Sequence, residues 1–291
     1  MRRLLPLLLL ACRPAPALDL PVCPAPQVAA GRAAEADTRQ LPADAWLQLL
    51  VPGYDRSTHT LPDDPRDCAR TPLTPPPHAL PPRPLTADDL AFGTSELTAD
   101  LPPELLVWAK LLTTSEGRAY GPVALIRWTA TGLEIRGIGA LHAPARRVRL
   151  ALKTIADQRL LIAEGETCLE DQPPPCPREA VLMPLRDQRF LQSELVEGTR
   201  PPREARLLLD ERRDFTGPDG TPRRLEIHRR LDLRGETPEI RAAIRLRDCP
   251  RDCSDALALD DSRPLELIEH TWVAPEDPWL ALLATHDPAS D

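Results

Sequence analysis

From Arg223 to Gly235 the chain reads RRLEIHRRLDLRG. Leu225, Ile227, Leu231 and Leu233 alternate with Glu226, His228, Arg230 and Asp232, and Arg229 is the one break in the pattern. Successive side chains of a strand point to opposite faces, so a period of two describes a strand with one face buried and one in water. The neighbouring segments repeat the pattern. EARLLLDERRDF places Ala205, Leu207, Leu209 and Phe215 on one side, and FTGPDGTP supplies turn residues before the next strand. PEIRAAIRLRD sets Ile240, Ile244 and Leu246 opposite Arg241, Arg245 and Arg247. DFTGPDG lacks the spacing of a calcium loop and reads as a hairpin turn.

The same reading extends upstream. ELLVWAKLLTT is expected to be a strand, although Pro102-Pro103 would also suit the first turn of a helix. GPVALIRW–TATG–LEIRGIGAL reads as a hairpin, and in RRVRLALKT the residues Val148, Leu150 and Leu152 oppose Arg149 and Lys153. QRLLIAEGE, AVLMPL and PLELIEHTWVA add short strands, and PWLALLA closes the chain with an apolar piece. The expectation is a mainly β protein: an antiparallel sheet domain over 104–291, built as a sandwich, a partly closed barrel or a larger curved sheet.

The N-terminus has a different grammar. Arg2-Arg3 precede an apolar run, Leu4 to Ala11, that is far shorter than the roughly 20 residues a spanning helix needs. It has the form of a secretory signal. Leu9-Leu10-Ala11-Cys12 resembles the lipobox of bacterial lipoproteins. The resemblance implies a signal peptide over 1–11, lipid on the sulfur of Cys12 and cleavage before it. With Arg13 following the cysteine, it also implies sorting to the outer membrane. Ordinary cleavage after Ala15-Pro16-Ala17, and a misassigned start or a buried helix, remain as alternatives. Residues 12–44 then read as a proline- and alanine-rich tether. Residues 45–103 read as a proline-rich irregular segment packed on the domain, since TPLTPPPHALPPRPL favours extended coil. AWLQLLVPGYD within it is open between a helical turn or two and a strand.

Seven cysteines make an odd number for an exported chain. With lipid on Cys12, six remain. The short spacings suggest Cys168–Cys176 and Cys249–Cys253, which leaves Cys23–Cys68, one of fifteen possible connectivities. CPRDC has the wrong spacing for a zinc pair, and neither a metal nor any other cofactor is expected.

A net charge of −8 and a pI of about 5.4 argue against a nucleic-acid binder. Only 3% aromatic residues leave little for stacking on bases or sugars. No nucleophile, phosphate-loop or zinc-protease motif is present in the sequence. Glu266 and His270 would share a strand face, with Asp260-Asp261 upstream, but one carboxylate and one imidazole are too few for a site. The more suggestive feature is a strip of arginines, Arg229, Arg241, Arg245 and Arg247, which fits either cross-strand ion pairs or an anion-binding face. Two functions follow as expectations. The first is a non-enzymatic envelope lipoprotein, held on a membrane and binding an envelope protein or polymer. The second is an envelope hydrolase whose acid and histidine meet across strands. A carrier with an apolar cavity is a lesser third.

Overall fold

The computed structural model describes Cys23 and residues 41–95, 104–129, 132–155, 158–168, 176–235, 237–250 and 252–277. Residues 1–11, read above as a signal peptide, most of 12–44, read as a tether, and the PWLALLA segment lie outside them. The described residues hold one α-helix, α1 (Ala43–Leu50), and eighteen strands.

The first nine strands are β1 (Leu90–Ser95), β2 (Glu104–Ala109), β3 (Leu112–Thr113), β4 (Arg118–Thr129), β5 (Gly132–Pro144), β6 (Arg146–Ile155), β7 (Gln158–Glu166), β8 (Arg178–Arg186) and β9 (Arg189–Phe190). Eight of them run in the order β8-β7-β6-β1-β2-β4-β5-β9, and β9 pairs back onto β8. The result is a closed, mixed barrel, which leaves no sheet edge where the ring closes. Most pairings are antiparallel, as the sequence led us to expect. β1 departs from that rule, running parallel to β6 with Thr94 opposite Ala151. β5 meets β9 in the same parallel sense.

β1 also moves the start of the sheet domain. It lies at Leu90 rather than near residue 104, so the segment 45–103 is irregular only in part: it holds α1 and a barrel stave. LAFGTS concealed this because Gly93 breaks its alternation. A Cβ at Gly93 would lie 2.2 Å from the carbonyl oxygen of Leu150, so the glycine is what lets β1 reach β6.

The barrel interior holds Leu106, Trp108, Val123, Leu125, Leu150, Leu152, Leu161 and Met183. The outer wall is covered twice. On β2 and β4, the residues Val107, Ala124 and Ile126 pack against Trp46, Leu47 and Leu50 of α1 and the buried Cys23. β2 is therefore buried on both faces, which is why ELLVWA is a continuous apolar run rather than an alternating one. On β7 and β8, Leu160, Ile162, Ala180 and Leu182 meet Leu195, Trp272 and Ala274.

Those last residues belong to a second sheet. It is made by β10 (Glu194–Glu197) and β11 (Arg203–Glu204), joined later in the chain by two further strands. β12 (Arg206–Leu208) returns to the barrel and pairs with β8. The chain then leaves at Leu209 for a third sheet, the antiparallel meander β13 (Asp210–Thr216), β14 (Pro222–Asp232), β15 (Glu239–Asp248) and β16 (Ser254–Pro264). β17 (Glu266–Ile268) and β18 (Thr271–Ala274) complete the second sheet, with β18 parallel to β10. The third sheet buries Leu225, Ile227, Ala242 and Ile244 on one face.

Cys23 is joined to Cys68, Cys168 to Cys176 and Cys249 to Cys253. Three disulfides point to an oxidising, exported environment. No helix among the described residues is long and apolar enough to cross a membrane.

Candidate functional site

Alternation along β6 sends Leu150 and Leu152 into the barrel and turns Arg149, Ala151 and Lys153 outward. On β7, Ile162 and Glu164 also face out, opposite Ala151 and Arg149. The C-terminal end of β14 lies over this wall. It contributes Arg230, Leu231 and Asp232, followed by Leu233 and Arg234. Between the two walls is a cleft of about 490 Å³.

Four cations and two carboxylates line the cleft. Asp232 accepts hydrogen bonds from the Arg234 side chain at 3.2 Å and from its backbone N–H, and it pairs with Arg241 at 3.1 Å. These bonds, led by the one from the Arg234 side chain, hold its carboxyl below the usual range. Glu164 lies 3.9 Å from Arg178. Arg149 and Arg230 have no ion-pair partner among the described residues. Arg230 also sits directly across from Arg241, a like-charge pairing that a sheet ordinarily avoids. Arg230 further lines a neighbouring, shallower depression of about 840 Å³ with His228, Arg241 and Asp260. There His228 and Asp210 are 2.8 Å apart.

The arginine strip expected from the sequence is divided. Arg241, Arg245 and Arg247 lie on the solvent face of β15, and Arg247 pairs with Asp255 at 2.9 Å and Glu226 at 3.4 Å. Arg229 is on the opposite face, opposite Ala242, and only 7% exposed. It is not a break in the apolar row but a buried member of it. It donates to the Leu208 carbonyl at 3.0 Å and to Glu211 at 3.2 Å, and it lies 3.7 Å from Asp277. Arg263 pairs with the same Asp277 and stands 3.9 Å from Glu197 of the second sheet. Arg229 thus belongs to an ionic clamp between sheets, and its partners come from segments that local alternation cannot reveal.

The Glu266–His270 pairing is also corrected. β17 ends at Ile268, Glu269 adopts a left-handed backbone (φ 58°), and His270 falls in the turn before β18. Its carbonyl accepts from the Glu194 N–H at 3.2 Å. Asp260 and Asp261 occupy opposite faces of β16, with Asp261 3.4 Å from Arg263. The DFTGPDG segment forms a turn, with Gly220 at φ 81° and the Gly217 N–H bonded to Thr221 O.

A second polar cluster lies at the seam that closes the barrel, and sequence reasoning missed it. His142 of β5 approaches Glu204 to 4.0 Å, and Arg206 pairs with Glu204 at 2.9 Å. Arg118 donates to both oxygens of Glu179 at 2.7–3.0 Å and also pairs with Glu116. Burial, followed by the charges of Arg206 and Arg118, pushes the His142 imidazole down to about 4. Burial also raises the Glu204 carboxyl. Arg118 and Glu179 are 61 positions apart, so no local signal joins them.

Among the described residues, no three His, Cys, Asp or Glu side chains cluster as a metal would require. Compared with protein-family models, with curated proteins and with solved structures, the chain matches none.

Proposed function

We propose that the protein is a non-enzymatic binding module of the cell envelope, fastened to a membrane by lipid on Cys12, with the cleft between the barrel wall and β14 as its binding site. Support for export and tethering comes from cysteine usage: six residues pair, and the seventh stands in the Leu9–Cys12 sequence that resembles a lipobox. The observation that carries the binding reading is the cleft itself. It is walled by two different sheets, and two of the residues that line it, Arg149 and Arg230, have no ion-pair partner among the described residues.

Two measurements test the reading. Intact mass of membrane-extracted protein should show a chain beginning at Cys12, heavier by an acylated glyceryl group and lighter by the hydrogens of three disulfides. A photo-crosslinking residue placed at Thr154, on the rim of the cleft, should capture an envelope component. The same residue placed at Thr216, on the far hairpin, should not. Capture from Thr216 alone would remove the cleft from the proposal, and an unprocessed chain with free thiols would remove the tether.

A further inference from the structure

We infer that the cleft binds a phosphate monoester. This assignment rests on the reading of the cleft as the binding site and adds the chemistry of its ligand. The chain as a whole is acidic, at −8. The cleft runs against that background: Arg149, Lys153, Arg230 and Arg234 outnumber Glu164 and Asp232 by two charges.

Within this set the carboxylates are already engaged. Asp232 is shared by Arg234 and Arg241, and Glu164 leans toward Arg178. The cations left over, Arg149 and Arg230, come from opposite walls, one from the barrel and one from the third sheet. Across the ladder Arg230 faces Arg241, whose charge Asp232 and Glu239 already engage, so Arg230 gains no carboxylate from that neighbour.

The ligand chemistry follows from that geometry. A carboxylate offers one charge and one edge, which a single guanidinium satisfies bidentately. A phosphate monoester carries about −1.5 to −2 charges and three acceptor oxygens, enough to accept from two guanidinium groups at once. Arginine's planar fork suits such oxygens better than an ammonium would. Ala151, Ile162 and Leu231 supply apolar wall beside the cations. At about 490 Å³ the cleft has room for a phosphorylated sugar or for the headgroup of a monoester lipid.

The test uses the full chain purified in detergent, titrated calorimetrically at low salt with glucose 6-phosphate and inorganic phosphate. It is then floated with vesicles of phosphatidic acid and, separately, of phosphatidylcholine. Glucose 6-phosphate should bind at one site and weaken as salt rises. Arg149→Gln and Arg230→Gln, both at exposed positions, should each lower affinity by about tenfold. Arg212→Gln, on β13 away from the cleft, should leave it unchanged. Binding to phosphatidic acid that is lost in Arg230→Gln would assign the group to a lipid, and binding of the soluble ester alone would assign it to a sugar; both support the inference. Failure of every phosphate probe to bind overturns it, as does binding that neither substitution weakens. Were the phosphate probes to fail while crosslinking from Thr154 still captured a partner, the ligand class would fall and the binding module would stand. Failure of both would remove both.

Discussion

Charged residues placed where apolar ones would ordinarily sit are the features of this chain with the largest individual consequences. Glu104 begins β2 with a fully buried side chain. Arg127 holds it at 2.7 Å, and Arg159 holds its other oxygen. Removing one member of such a group strands the others without water. Glu104→Leu should therefore cost about 3–5 kcal/mol, read as a fall in the urea midpoint with an unchanged slope. His142 carries a prediction in pH. Its folded imidazole titrates near 4 because it is buried beside Arg206 and Arg118, and the unfolded chain takes up the same proton near the ordinary 6.5. Between those values the unfolded state binds more protons, so stability falls as pH drops from 6.5 to 4 and the loss then levels off. Glu204, raised by burial, has the opposite sign and offsets part of the loss. Urea titrations at pH 7 and pH 4 should show wild type losing about 2 kcal/mol more than His142→Gln, a figure discounted for the partial exposure of the site.

At the scale of the element, the fold depends on close approach between strands distant in sequence. β1 enters the barrel beside β6 only because position 93 has no side chain. Gly93→Val should force the two apart and destabilise the protein by at least about 2 kcal/mol. Loss of interior packing would show as weaker near-ultraviolet circular dichroism with far-ultraviolet signal retained. The alternating segments were legible because their partners are adjacent: β14 and β15 register over ten residue pairs, from Arg223↔Asp248 to Asp232↔Glu239. Strands buried on both faces, such as β2, and strands interrupted by glycine, such as β1, gave weaker signals. Their burial is decided by elements packed from elsewhere. AWLQLLVPGYD was open for the same reason. It forms α1 because the outer wall of β2 and β4 takes Trp46, Leu47 and Leu50 on one helical stripe.

At the scale of the whole molecule, three layers meet around one barrel, and the disulfides differ in what they hold. Cys23–Cys68 closes a loop of 45 residues and pins the N-terminal cover, whereas Cys249–Cys253 spans only 4. On the chain-entropy account the first is worth about 4 kcal/mol and the second about 2 kcal/mol. Cys23→Ser/Cys68→Ser should therefore lower the thermal midpoint clearly more than Cys249→Ser/Cys253→Ser, measured by calorimetry under identical conditions. Read alone, the sequence determined the mainly β class and the alternation of the third sheet, because both are set by residues close in the chain, and its short spacings suggested the cysteine pairs that the structure joins. Only the tertiary structure decided that the barrel closes, that β1 runs parallel to β6, that Arg229 is buried in a clamp with Asp277, and that Arg149 and Arg230 share a cleft. Those outcomes pair residues from about 50 to 80 positions apart. Which distant segments meet is settled by packing and desolvation over the whole chain, which no local pattern records.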